Sequence, residues 1–257
     1  MAQRSNILAT IVCVLAACVY GGDAFDPPPG YYAGMHGSTG AVLRAALHQL
    51  VSRHRVCSYS AARTILATLD ADMSNSACVV LTYTGARVQA KWDRGRTWNR
   101  EHLWPRSLMD GNSRGPEYSD LFNLRPCNPR VNSSRGNRYF DEGGSPVSTA
   151  PRCLSDADSW EPRDCEKGDI ARSMFYMALR YDGNESYSID LRLTNGPSRT
   201  SGEGVLGRLS ALLAWHLADP VSHEERARNH RIFAQYQGNR NPFIDYPDLA
   251  LVMYADR

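Results

Sequence analysis

An α+β fold, in one domain running from residue 25 to 257, is predicted by three features of this chain. Apolar residues recur at helical spacing towards both ends. A β-branched run, Ala77–Thr84, follows the first helical pair. Between the helical regions lies Lys91–Asn137, dense in Arg, Asn, Trp and Pro, which reads as short strands and loops. Hydrophobic residues make up 42% of the 257, enough for a real core. A charged fraction of 22% and a net charge of +2 exclude a disordered chain and select no partner class.

Residues 1–24 read as a signal peptide. Arg4 precedes a 14-residue apolar run, Ile7–Tyr20, which is short for a membrane span and right for an export signal. Gly22-Asp23-Ala24 then offers small residues for cleavage before Phe25. Leu15-Ala16-Ala17-Cys18 has the form of a lipobox, so a lipid anchor on Cys18 is the alternative to plain release. Secretion or a periplasmic location is expected. The mature chain keeps five cysteines, an odd number that leaves at least one thiol unpaired; Cys153 and Cys165 form the best local pair, and Cys78 reads as a buried thiol. No C-x-x-C occurs, which argues against a zinc ribbon or dithiol redox site.

In the mature chain, Thr39–Arg53 carries Val42, Leu43, Ala46, Leu47 and Leu50 on one helical face, and Ser60–Leu69 reads as a second, shorter helix. Asp141–Lys167, rich in Gly, Pro and Ser, reads as a long surface loop. Helices are expected at Asp169–Tyr181 and Val205–Leu217. Another opens at the capping box Ser222-His223-Glu224-Glu225 and runs to about Gln235. Asn241–Asp245 is expected to be extended, because the residue before Pro avoids the α region. No repeat is present. Helices thus flank a small β-rich element, and nothing calls for more than a monomer.

That element carries the chemistry. The window Arg87–Arg138 holds eleven Lys/Arg against five Asp/Glu, net +6, while the rest of the chain is net acidic, so an anion-facing surface is expected there. Hydrolysing a phosphodiester needs a base for water, a counter to the charge that builds on phosphorus, and help for the leaving oxygen. An imidazole suits the first task, since its usual pKa of about 6.5 lets it take a proton near neutrality. A divalent metal on oxygen ligands suits the others. Arg100-Glu101-His102 places a cation, a carboxylate and an imidazole in sequence. On a strand, Arg100 and His102 share one face and Glu101 takes the other, unless the strand ends at once, as Trp104-Pro105 suggests. Thirty residues on, Asn132 is carried by a helix expected over Arg130–Asn137 and offers an amide oxygen. With one carboxylate and waters, that oxygen suits Mg²⁺. Arg100, Arg125 and Arg135 are candidate phosphate contacts. Asn123 is a candidate to orient the His102 ring. Trp98 and Trp104 are expected to fill the core, and His216 and His230 to be structural.

Asn99-Arg100-Glu101-His102-Leu103-Trp104-Pro105, Ser119–Pro126 and Val131–Asn137 together resemble the bacterial endonuclease I family of ββα-metal nucleases. Lys167–Arg172, Trp215–Val221 and Gln237–Asp245 extend the resemblance across nearly the whole mature chain. It implies a ββα-metal finger within a largely helical domain, with His102 as general base and Glu101 and Asn132 holding the metal. The implied substrate is DNA, often RNA as well, cleaved with little sequence preference. One departure stands out: Phe122 occupies the middle of Asp-Leu-Phe-Asn-Leu, where the family usually has His. It is the basis of the rival reading, a catalytically weakened nucleic-acid-binding protein on the same scaffold. A phosphodiesterase acting on small esters is the third reading.

Overall fold

In the computed structural model, residues 24–35, 38–109, 115–186, 188–196 and 202–255 are described. The signal segment and Cys18 lie outside them. The chain folds as a mixed α+β domain around one contiguous apolar core.

The N-terminal helices follow their apolar stripes. Helix α1 (Gly40–Val51) buries Leu43, Leu47 and Val51, one per turn. Helix α2 (Tyr59–Leu69) is capped by Ser58, whose side chain accepts from the Ala61 amide at 3.1 Å, and buries Ala62, Leu66 and Leu69. An antiparallel sheet follows, of β1 (Ala71–Asp72), β2 (Asn75–Val80) and β3 (Arg87–Gln89). The expected strand thus starts earlier and stops at Val80. Beyond it Thr82 bridges to Cys127, and Tyr83 adopts φ +68°.

The catalytic-stretch expectation resolves into a strand–strand–helix unit. Strand β4 (Asn99–His102) pairs antiparallel with β5 (Leu124–Cys127), setting Glu101 opposite Arg125 and His102 opposite Leu124. Helix α3 (Pro129–Arg135) follows directly. Asn128 caps it by accepting from the Arg130 amide at 2.9 Å, Pro129 takes the first turn, and Gly136 ends it at φ +58°.

Three expectations are corrected downstream. Asp141–Lys167 is not a loop: β6 (Tyr139–Phe140), β7 (Ser145–Val147), β8 (Ala150–Ser155) and β9 (Ser159–Glu161) form a sheet in the order β6-β9-β8-β7. Their strands of two to six residues are too short for an alternation to register. Helix α4 (Asp164–Arg180) begins five residues early and runs through Gly168. That glycine is a contact and not a breaker, because a Cβ there would collide with the Asp219 carbonyl. The Leu-rich helix expected from Val205 starts only at Leu209, since β10 (Arg192–Leu193) and β11 (Val205–Leu206) pair in parallel first.

Helix α5 (Leu209–Ala218) packs on α4. Helix α6 (His223–Arg231) opens on the expected cap, with Ser222 accepting from the Glu225 amide at 3.1 Å, and continues through a wide π-type turn to Tyr236. Asn241–Asp245 is also corrected. Only Asn241 is extended, as Pro242 demands; its side chain caps a short helix α7 (Pro242–Asp245). Helix α8 (Leu249–Tyr254) follows.

Asp120 holds the centre together. Its buried carboxylate accepts from the hydroxyls of Tyr176 and Tyr181 at 2.9 and 2.7 Å, the Phe122 amide at 2.9 Å and the Gln237 amide nitrogen at 3.3 Å. All five described cysteines are free thiols, so no Cys153–Cys165 bridge is present. Cys153 is buried and donates to the Tyr83 carbonyl at 3.3 Å, Cys165 is exposed, and Cys78 is half-buried instead of buried. No described helix is long and apolar enough to cross a membrane.

Candidate active site

Strand β4 ends at His102, and there the chain turns away, with the Leu103 amide bonded to the Asn123 carbonyl at 3.0 Å. The early end lets neighbouring residues serve one place. A cleft of about 390 Å³ is lined by Arg100, Glu101 and His102 from β4, Arg106 just beyond it, and Asn132 and Asn137 from α3 and its C-terminal end.

His102 Nε2 lies 3.0 Å from the Tyr118 carbonyl. A carbonyl can only accept, so Nε2 carries the proton and Nδ1 keeps a lone pair. The ring packs nearly parallel to Tyr59 and Tyr118, with centroids 5.5 and 5.0 Å away. Burial pushes its pKa down to about 4. The Tyr118 carbonyl opposes that shift, and the charges of Arg100, Arg106 and Arg135 add to it. At neutral pH the imidazole is therefore uncharged and able to accept a proton.

Glu101 is buried. Its Oε1 accepts from the Tyr83 hydroxyl at 2.8 Å and from Arg135 Nη1 at 3.1 Å. Both of these side-chain bonds fall on Oε1, so among the described side chains Oε2 has no donor, while the His102 amide also addresses the carboxylate. Burial raises the Glu101 pKa against the pull of Arg135 and Tyr83. Asn132 Nδ2 donates to Asn99 Oδ1 at 2.8 Å and to the Arg100 carbonyl at 3.3 Å. The carbonyl fixes which way the amide points, leaving Oδ1 as an acceptor without a bond among the described residues. One carboxylate oxygen and one amide oxygen thus remain on a cleft beside a neutral imidazole. This oxygen-only donor set fits a hard divalent cation that keeps most of its water.

The remaining expected site residues fall elsewhere. Arg125 is turned away from the cleft. It donates to the carbonyls of Leu121, Phe122 and Leu124 at 3.4, 3.4 and 3.2 Å and to Ser173 Oγ at 3.2 Å. It lines a different cavity of about 480 Å³, larger than the cleft. The charges there pair among themselves, Arg228 with Asp70 and Arg87 with Asp72, so size alone does not make it the site. Arg135 is fully buried. Besides Glu101 it holds the His102 and Leu103 carbonyls at 2.9 and 2.6 Å, tying α3 to the back of β4. Neither arginine is placed to meet a phosphate. Arg100 donates to the Tyr59 carbonyl and lies 3.5 Å over the Tyr59 ring, so it braces the aromatic wall. Asn123 does not reach the His102 ring. It clamps Trp104 from both sides, accepting from its amide at 2.7 Å and donating to its carbonyl at 3.3 Å. The Tyr118 carbonyl does the orienting instead, and no residue type signals a backbone oxygen.

Phe122 is 1% exposed and packs on Tyr176, centroid to centroid 4.4 Å, away from the cleft. The departure that motivated the weakened-scaffold reading therefore lies in the core. Trp98 and Trp104 are fully buried. His216 is also buried, with Nε2 donating to the Pro247 carbonyl at 3.0 Å. Among the described residues one histidine–acid group has metal-ligand spacing, His48 with Asp182 and Glu185. Its charges are already answered: Asp182 lies 3.2 Å from His48 Nδ1, and Arg180 donates to both Glu185 oxygens.

The model of the family described as endonuclease I matches residues 39–248. An extracellular ribonuclease of Bacillus subtilis (strain 168) is 45% identical over 223 residues, covering 86% of this chain and 76% of that protein. An extracellular ribonuclease of Bacillus amyloliquefaciens is 45% identical over 224 residues, with the same coverage of each chain.

Proposed function

The chain belongs to the endonuclease I family and is a phosphodiester-hydrolysing nuclease, and from that premise we propose that it is an exported, Mg²⁺-dependent endonuclease with little sequence preference, acting on RNA and DNA. The observation that carries this reading is the meeting of a neutral His102, Glu101 and the Asn132 carbonyl oxygen on one cleft. The relatives are named extracellular ribonucleases, which adds export and RNA as a substrate.

His102 Nδ1 takes a proton from the attacking water while Nε2–H stays on the Tyr118 carbonyl, so the ring receives charge without rotating. The Tyr59 and Tyr118 rings keep it aimed. Glu101 Oε2 and Asn132 Oδ1 would hold the cation; Arg135 pulls against the burial that raises the Glu101 pKa, and Asn99 keeps the Asn132 amide turned. When bound, Mg²⁺ supplies charge for the phosphate and the leaving oxygen. These groups address the backbone and not the bases, which accounts for low sequence preference.

The test is digestion of plasmid DNA and of single-stranded RNA, with Mg²⁺ and with EDTA. Nicking of the plasmid and internal cleavage of the RNA are expected with Mg²⁺, falling to background in EDTA and returning on adding Mg²⁺ back. Undiminished cleavage in EDTA overturns the metal assignment. Binding of nucleic acid without cleavage under any metal condition would favour the binding-protein reading.

A further inference from the structure

The cleft needs a group that meets the phosphate itself, and of the arginines expected to do so Arg125 and Arg135 are turned inward while Arg100 lies against the Tyr59 ring. From the geometry we infer that Arg106 is the phosphate-contacting residue of this nuclease. The inference rests on the nuclease reading and deepens it.

Three observations support the assignment. Arg106 lines the same cleft as His102, Glu101 and Asn132, and it is solvent-exposed. Its guanidinium lies over the Tyr118 ring, 5.3 Å from the centroid, and Tyr118 is the residue that both stacks on His102 and holds its Nε2–H. One aromatic ring thus contacts both the base and the cation. Its backbone is also fixed: Pro105 precedes it, and the Pro105 carbonyl accepts from the Leu108 and Met109 amides at 3.0 and 3.3 Å, so Arg106 sits early in a bonded turn. A guanidinium is a planar fork that matches two phosphate oxygens at once. At this place it donates to the non-bridging oxygens of the scissile phosphate. It offsets the charge gathered there as the water oxygen bonds to phosphorus and the bridging P–O bond breaks.

The test uses Arg106→Gln, Arg106→Lys and a control, Arg226→Gln, which removes an exposed cation on α6. Binding of a fluorescent single-stranded oligonucleotide is read in EDTA over a range of salt, and kcat/KM is read with Mg²⁺. Arg106→Gln is expected to lower kcat/KM by about 10–100-fold. It should also flatten the plot of log Kd against log salt by about 0.7, the value of one phosphate contact on a single strand. Arg106→Lys should keep the salt slope and recover part of the rate, since it keeps the charge and loses the fork. Arg226→Gln should change neither by more than about twofold, as expected for a cation making no phosphate contact. The assignment is overturned if Arg106→Gln, folded by circular dichroism, cleaves as well as the parent with an unchanged slope, or if Arg226→Gln loses as much. A parent protein that neither binds nor cleaves any oligonucleotide would instead fail the nuclease reading.

Discussion

Replacing His102 with Ala is expected to lower kcat/KM by about 10²–10⁴-fold, the usual contribution of a positioned general base. The size of the effect follows from how completely the ring is prepared. Its tautomer is set by the Tyr118 carbonyl, its orientation by two stacked tyrosines, and its charge state by burial together with three nearby arginines. Among the described residues of the cleft, nothing else suits the role. Glu101 Oε1 is committed to Tyr83 and Arg135, and Asn132 is not basic. The variant should remain folded, because the ring lines the cleft and its Nε2 bonds a single carbonyl. Affinity for an oligonucleotide should stay within a few-fold of the parent, so the loss should appear in kcat and not in binding. Steady-state kinetics on a labelled oligonucleotide separate the two. A variant retaining more than about a tenth of parental kcat/KM would show that another group activates the water.

Arg135→Met should have the largest effect on stability, about 3–5 kcal/mol, the cost of breaking a buried ion pair from one side. Arg135 is fully buried, pairs with the buried Glu101, and holds two carbonyls at the end of β4. Its loss strands a carboxylate whose pKa burial already raises, and it frees the strand end that presents His102. For a chain of this size the shift corresponds to a fall in Tm of roughly 6–20 °C. The double variant Glu101→Gln/Arg135→Met should regain much of the loss, since no buried charge is then left alone. It should stay inactive, because the carboxylate for the cation is gone. Calorimetry of the two single variants and the double gives the coupling. Simple addition of the single-variant losses would contradict a paired, buried Glu101.

How legible the site was in the sequence depended on which atoms did the work. The grouping of His102, Glu101 and Asn132 was legible because a strand end and a helix start bring the three to one cleft. Asn128-Pro129 announces that helix start, and Trp104-Pro105 the strand end. Arg125 and Arg135 were misread because a cation beside a candidate site looks the same in sequence whether it faces solvent or a ring of carbonyls. Only the fold shows that β5 turns Arg125 towards Ser173 and that α3 delivers Arg135 behind β4. The Tyr118 carbonyl carried no signal, since any residue has one. Among the folds of the chain, helices with a one-residue-per-turn stripe, such as α1, were legible. The β6–β9 sheet was not, because its strands are shorter than the alternation that would reveal them. Gly168 hid the start of α4 because a glycine needed for close packing reads as a helix breaker.

Glu101 and Asn132 are proposed to hold a divalent cation within reach of His102. Titration with Mn²⁺, a paramagnetic stand-in for Mg²⁺, tests it most directly when the imidazole signals of the histidines are followed by NMR. One ion is expected to bind per chain, with the His102 signals broadened away ahead of those of His48 and His216. In Asn132→Ala both effects should weaken by at least about tenfold, as for loss of one ligand. Broadening of His48 first, or unchanged Mn²⁺ affinity in Asn132→Ala, would contradict it.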